Sequence, residues 1–295
     1  RFDAAGRSNE KSWRPTRLTS RLGPPASVAS GVLVVSNREA VVIDLEQRRR
    51  VWERRFAEDL VAFGMGSNRV LVARGGETPT LASFRIGSAR PDRSWPLPGL
   101  AAQVVVSRDG DFAVALTDGR LVVGRLSSDI LTVTPLRLRV GRMVLLDRRL
   151  VVADAEGGVS SFDLATGSKS RIWTPSGPEV FVLRGPERIG DRALFVTSEG
   201  EWSSVDAQGG SRAGSGRLDG IDADRKRAAV ADPRGQRVWL PLTDGGYVEL
   251  GLGAMRSEGR IGRARRRLRG AAVWNGKLVA GYEGSDEIDI YELGN

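Results

Sequence analysis

The sequence contains neither cysteine nor histidine. Without cysteine there can be no disulfide, no thiolate nucleophile and no zinc or iron–sulfur site built on thiolates. Without histidine there is no Ser-His-Asp triad, no imidazole metal ligand and no histidine general base. Any catalysis would fall to carboxylates, to Tyr or to a Ser–Lys pair, and the chain of 295 residues holds only three Tyr and four Lys. The sequence therefore offers no catalytic residue, no metal site and no cofactor site, and the expectation is a protein that is not an enzyme. Also missing is any apolar run near 18 residues, or a hydrophobic segment behind positive charge in the first thirty positions, so neither a membrane span nor a signal peptide is read. Because the sequence opens on Arg1 rather than Met, a signal upstream would change the expectation of a cytoplasmic place.

What is abundant is glycine, with 37 residues, and arginine, which supplies most of a net charge of +9. Net positive charge favours anionic partners through long-range attraction. The stretch Arg149 to Gly177, RLVVADAEGGVSSFDLATGSKSRIWTPSG, shows how the glycine is used. An apolar run is followed by an acidic glycine turn, an alternating run, a second turn and a run ending on Trp173. Period-two alternation bounded by Gly, Asp and Ser marks antiparallel strands joined by tight turns.

The pattern recurs. Its apolar run aligns with Leu33, Leu71, Ala113, Leu150, Leu194, Ala228 and Leu278, at intervals of 38, 42, 37, 44, 34 and 50 residues. The mean of about 41 falls in the range of propeller blades. Most anchors follow a short apolar strand and a turn rich in Gly, Asn or Asp, as in VAFGMGSNR from Val61 and AAVWNGK from Ala271. These residues supply the positive φ that two-residue hairpin turns need. The unit is a four-stranded antiparallel meander, and the fold class is all-β, a seven-bladed β-propeller forming a single domain. The expected blades cover about 26–58, 59–98, 99–137, 138–176, 177–215, 216–252 and 253–295. The last unit ends after three strands, while an unassigned segment, KSWRPTRL from Lys11, precedes the first. Trp13 matches the column Trp52, Trp95 and Trp173 of the fourth strands, so residues of about 10–20 are expected to complete the last blade.

The segment FDLATGSKSRIW, from Phe162 to Trp173, and its looser copy IDLEQRRRVW, from Ile43 to Trp52, resemble the repeat of pyrroloquinoline-quinone-type propellers, which are WD40-like in architecture. The Gly-His and Trp-Asp pairs typical of WD40 repeats are absent. The resemblance implies the fold. Many propellers with this repeat bind no cofactor and serve as scaffolds, among bacterial ones in envelope assembly or as adaptors beside ATPase modules.

The charged candidates follow. The connection into the last unit, RSEGRIGRARRRLRG, carries Arg256, Arg260, Arg263, Arg265, Arg266, Arg267 and Arg269 against one acid, Glu258. Clustered guanidinium groups can clamp carboxylates or phosphates bidentately, so this segment is the expected contact for a partner. Acids stand at the turns between second and third strands, namely Glu39, Glu77, Asp118, Asp154 with Glu156, Glu199, Asp232, and Glu283 with Asp286. They share the expected face with the Arg segment and could neutralise it. The run RRRVWERR, from Arg48 to Arg55, suits an outer strand guarded against edge pairing. The function expected is that of a non-catalytic scaffold or adaptor docking another macromolecule in a multiprotein assembly. A nucleic-acid or anionic-surface binder using residues 256–269, and a small-molecule site at a central channel, are the alternatives.

Overall fold

The computed structural model describes residues 11–13, 26–28, 31–35, 38–47, 49–66, 68–107, 109–135, 143–153, 157–177, 180, 182–189, 191–206, 212–217, 230–231, 237–241, 247–251, 257–261, 268–282 and 288–292. Among these every regular element is a strand, and no helix is long and apolar enough to cross a membrane. The strands group into two compact units, one made of Arg1–Ala57 with Gly220–Asn295 and the other of Glu58–Asp219.

The chain opens with β1 (Lys11–Trp13) and a first sheet of β2 (Ala26–Val28), β3 (Gly31–Val35), β4 (Glu39–Asp44) and β5 (Arg49–Arg55). The second unit holds four sheets. They comprise β6 (Leu60–Gly66), β7 (Arg69–Arg74), β8 (Thr80–Arg85) and β9 (Arg93–Pro96); then β10 (Ala101–Val106), β11 (Asp111–Leu116), β12 (Arg120–Arg125) and β13 (Leu131–Pro135). Next come β14 (Met143–Leu146), β15 (Arg149–Ala153), β16 (Val159–Asp163) and β17 (Lys169–Trp173), followed by β18 (Val182–Ile189), β19 (Arg192–Thr197), β20 (Glu201–Asp206) and β21 (Arg212–Arg217). The chain returns to the first unit with β22 (Val230–Ala231), β23 (Arg237–Pro241), β24 (Tyr247–Gly251) and β25 (Ser257–Ile261), and ends with β26 (Leu268–Trp274), β27 (Lys277–Tyr282) and β28 (Ile288–Glu292). Each sheet is an antiparallel meander in chain order, except that the last takes its fourth strand from β1, with Lys11 opposite Ile290 and Trp13 opposite Ile288.

One expectation needs correction. Ser257–Ile261, expected within the last blade and its long connection, does not belong to the last sheet. It is β25, paired with β24 through Val248 opposite Arg260. The high charge of this stretch hid a strand that its sheet requires, since β24 otherwise has an unpaired edge.

Local chemistry explains the turns. Asn68, Asp147 and Asn275 all have positive φ at the hairpins between first and second strands, and Asn275 is followed by Gly276 at φ 71°. Asn and Asp tolerate this region because their short side chains bond locally, and glycine has no Cβ to clash.

Packing is by layers. In β11, Phe112 and Val114 face one layer with Leu71, Leu81 and Trp95 of the preceding sheet. Ala113 and Ala115 of the same strand face another layer with Leu145, Leu150 and Phe162 of the next. A third layer joins Val151 and Trp173 to Phe195 and Val205. In the first unit Val32 and Ile43 pack on Ala272 and Val279. Second strands are thus buried on both faces and read as continuous apolar runs rather than alternating ones. The first strands β6 and β10 lie so close that a Cβ on Gly64 would stand 2.8 Å from the Val104 carbonyl oxygen. Gln103 joins β10 to β14 like a piece of backbone, its Nε2 donating to the Met143 carbonyl at 3.0 Å while its Oε1 accepts from the Met143 N–H at 3.0 Å.

Trp95 and Trp173, on fourth strands, lie between sheets. Trp95 packs on Phe112 of the following sheet with ring centroids 5.0 Å apart, and its Nε1 donates to the Ser128 carbonyl at 3.1 Å. Trp173 meets Phe195 at 5.7 Å. A bulge beside Trp52 and another beside Trp173 interrupt the outer ladders. An extra residue at these points re-aims the side chain. Because Trp95 is 2 % exposed, Trp95→Ala should lower unfolding free energy by about 3–5 kcal/mol in urea denaturation. Trp95→Phe, which keeps ring packing and loses the N–H, should cost less.

Candidate functional site

The seven arginines of the expected contact divide as follows. Arg260 lies on β25 and Arg269 on β26, at a register shift between Leu268 and Gly270 opposite β27. Arg256, Arg263, Arg265, Arg266 and Arg267 lie outside the described residues. The connection between β25 and β26 is therefore residues 262–267, shorter than the sequence suggested.

The acids at the turns between second and third strands can be followed at four places. Glu39 begins β4, Glu77 and Asp118 sit between β7 and β8 and between β11 and β12, and Glu199 sits between β19 and β20. Asp154, Glu156, Asp232, Glu283 and Asp286 lie outside the described residues, as do the glycine pairs Gly209-Gly210 and Gly245-Gly246.

Two of the four acids have guanidinium partners close in sequence or in the ladder. Arg120 donates from Nε and Nη2 to Asp118 Oδ2 at 2.8 and 2.5 Å, and Nη2 also donates to the Pro98 carbonyl at 2.8 Å. The Arg120 guanidinium holds the Asp118 carboxyl below the ordinary carboxylate range, with a further contribution from the Arg120 backbone N–H. Glu39 stands opposite Arg55 in the β4–β5 ladder, with Arg55 Nε 3.4 Å from its Oε1. Burial, and the nearness of Glu53, push the Glu39 carboxyl up, whereas Arg50 at 2.5 Å pulls the Glu53 carboxyl down. In the second unit Arg74 bridges Glu58 at 3.1 Å and donates to Thr80 Oγ1 at 2.9 Å. At the other end of its strands Arg125 meets Asp111 at 3.2 Å, and Arg69 and Arg93 pair with Asp92 and Asp129. The sequence offered the Arg segment as the neutralising partner of these acids. The structure gives Glu39 and Asp118 other partners because cross-strand and i,i+2 neighbours need no long loop to reach them.

The residues that carried the propeller resemblance turn out to build turns. Asp163 Oδ1 accepts from the Ala165 and Thr166 N–H groups at 2.8 and 3.1 Å, and Asp44 Oδ1 does the same for Glu46 and Gln47 at 2.9 and 3.0 Å. The Gly167 N–H then closes on the Asp163 carbonyl at 2.8 Å with φ of 70°. These are side-chain turns that mimic backbone ones. Among the described residues no group of three or more His, Cys, Asp or Glu is placed to hold a metal ion. Sequence reasoning passed over Trp202, on the third strand of its sheet, and Trp239, on the second strand of its own, which are 4 % and 1 % exposed. The neighbouring EWSSVD and RVWLP alternation was the signal for them.

Four-stranded antiparallel meanders packed face on face through apolar layers define the class, a β-propeller. Solved structures agree. BamB from Moraxella catarrhalis matches with a TM-score of 0.66 at 12 % identity, over 96 % of this chain and 98 % of that one. The β-propeller domain of Cps50 (Swd1) from Myceliophteria thermophila matches with a TM-score of 0.74 at 11 % identity, over 97 % of this chain and 100 % of that one. At such identities the likeness is one of fold. No protein-family model matches the chain, and no curated protein sequence does.

The Asp163 turn yields a pH test. Backbone N–H groups of Thr166 and Ala165 lower its pKa from the ordinary 3.8. A depressed carboxylate contributes stability that is present above its unfolded value and lost as pH falls through the folded one. Asp163→Ala should therefore lower Tm at neutral pH, with the difference from wild type closing as pH drops below 3.8. Asp163→Asn, which keeps the accepting oxygen without the charge, should lie between the two, as differential scanning fluorimetry across pH would record.

Proposed function

We propose that the chain is a non-catalytic scaffold or adaptor that docks another macromolecule within a multiprotein assembly, with Arg256, Arg260, Arg263, Arg265, Arg266, Arg267 and Arg269 forming the contact. The observation that supports this most is the local pairing of Glu39 with Arg55 and of Asp118 with Arg120. Those carboxylates are already bonded within their own units. Residues 256–269 carry seven Arg against Glu258 alone, which leaves a surplus of guanidinium groups for an acidic protein segment. The residue chemistry agrees, because a chain without His or Cys has few means to activate a nucleophile or hold a catalytic metal.

Changing Arg263, Arg265, Arg266 and Arg267 together to Glu should abolish recovery of a protein partner in a pull-down from native extract, with nuclease treatment making no difference. Retention of the same partners by the variant would remove the Arg segment from the contact. Partners lost on nuclease treatment, with binding that falls steeply as salt rises, would mark a nucleic-acid binder instead.

A further inference from the structure

Five asparagines occur in the chain, and Asn275 alone is followed by glycine. Asn275 and Gly276 are the two central residues of the hairpin between β26 and β27, with φ of 45° and 71°, and the ladder closes beneath them on Trp274 opposite Lys277. Both residues are exposed, and a Cβ on Gly276 would meet no atom within 4 Å. The Asn275 side chain is nevertheless engaged. Its Nδ2 donates to Glu46 Oε1 at 2.6 Å. Glu46 lies in the turn between β4 and β5, where its own N–H donates to Asp44 Oδ1 at 2.9 Å. A carboxylate of the first sheet thus holds a carboxamide of the last. Both sheets belong to one compact unit, and they are the two whose Val32 and Ile43 pack on Ala272 and Val279. Asn68 makes the equivalent turn between β6 and β7, exposed and with φ of 61°, but it is followed by Arg69.

We propose that Asn275 is a site of spontaneous deamidation, restrained by Glu46, and that its conversion loosens the hold of the last sheet on the first. The main-chain nitrogen of Gly276 attacks Asn275 Cγ. The new N–Cγ bond closes a five-membered succinimide, the Cγ–Nδ2 bond breaks, and Nδ2 leaves as ammonia carrying the proton of the Gly276 amide. Water then opens the ring at either carbonyl and gives an aspartyl or an isoaspartyl chain, so the sequence of steps consumes only water. Glycine matters because a Cβ on the following residue crowds the attacking nitrogen, as Arg69 does after Asn68. The fold sets the pace. In a type I′ turn the first central residue has ψ of about 30°, and the ring closes only after rotation about that bond. The Glu46 carboxylate opposes the rotation by holding the side chain, and by accepting from Nδ2 it leaves Cγ less electrophilic. Once residue 275 carries a carboxylate, the donor is gone and Glu46 loses its partner. Two anions then face each other at hydrogen-bond distance and repel. The isoaspartyl form also lengthens the backbone of a two-residue turn by one carbon.

Asn68 serves as the internal control. Incubating the full chain for days at mildly alkaline pH in heavy-oxygen water, then mapping its peptides by mass spectrometry, should show heavy oxygen gained at Asn275 and none at Asn68. Glu46→Ala should raise the rate at Asn275 several-fold and leave Asn68 unchanged. The consequence is read separately. Asn275→Asp, made directly, should keep the wild-type circular dichroism and lower Tm by a few degrees. Adding Glu46→Gln to it should restore Tm, because donor and acceptor have then only changed places. An Asn275 that keeps its amide in the folded chain, equal rates at Asn275 and Asn68, or a Glu46→Ala rate equal to that of wild type would overturn the proposed site. A Tm that Asn275→Asp leaves unchanged, or that Glu46→Gln does not restore, would overturn the proposed loosening.

Discussion

The second strand of each meander cannot exist alone. Val151 has no exposed surface, and its neighbours Leu150 and Val152 face the opposite layer, equally enclosed. A sheet with two apolar faces must be covered twice, so every sheet in a unit stabilises and depends on its neighbours. Burying such side chains is worth roughly 1.5–3 kcal/mol each relative to exposure. The layers between sheets therefore supply most of the stabilisation, and the hydrogen-bonded ladders within a sheet fix its register. Glycine at position 64, the Gln103 side-chain clasp and the tryptophans at 95 and 173 are all devices for bringing two sheets together at the required spacing.

That dependence explains what could be read in advance. The anchors Leu33, Leu71, Ala113, Leu150, Leu194 and Leu278 were visible because doubly buried strands require continuous apolar runs. The turns were visible because only Gly, Asn and Asp sit easily at positive φ. The completion of the last sheet by β1 followed from counting strands. β25 was not visible: SEGRI has one apolar residue and two charges, and an outer strand with one solvated face leaves little apolar signature. The site was less legible still. Arg260 and Arg269 looked like loop residues because charge density was weighed above backbone pairing, and no spacing in the sequence announces that Asp118 will choose Arg120.

Among the described residues, several charged side chains pair at strand ends. Arg55, Arg74, Arg120 and Arg125 each begin or end a strand and meet an acid on the same or an adjoining turn. Exposed pairs of this kind add little stability. They do leave the surface locally neutral at those places.

The pairing of β1 with β28 also has a mechanical meaning. Because the two strands are antiparallel, with Lys11 beside Ile290 and Trp13 beside Ile288, the chain enters β1 and leaves β28 at the same end of the ladder. Tension applied through the chain on either side would open this ladder one bond at a time, as a zip opens, instead of loading all its bonds together in shear. The strand that completes the last sheet is thus its weakest point under load and the natural place for unravelling to begin.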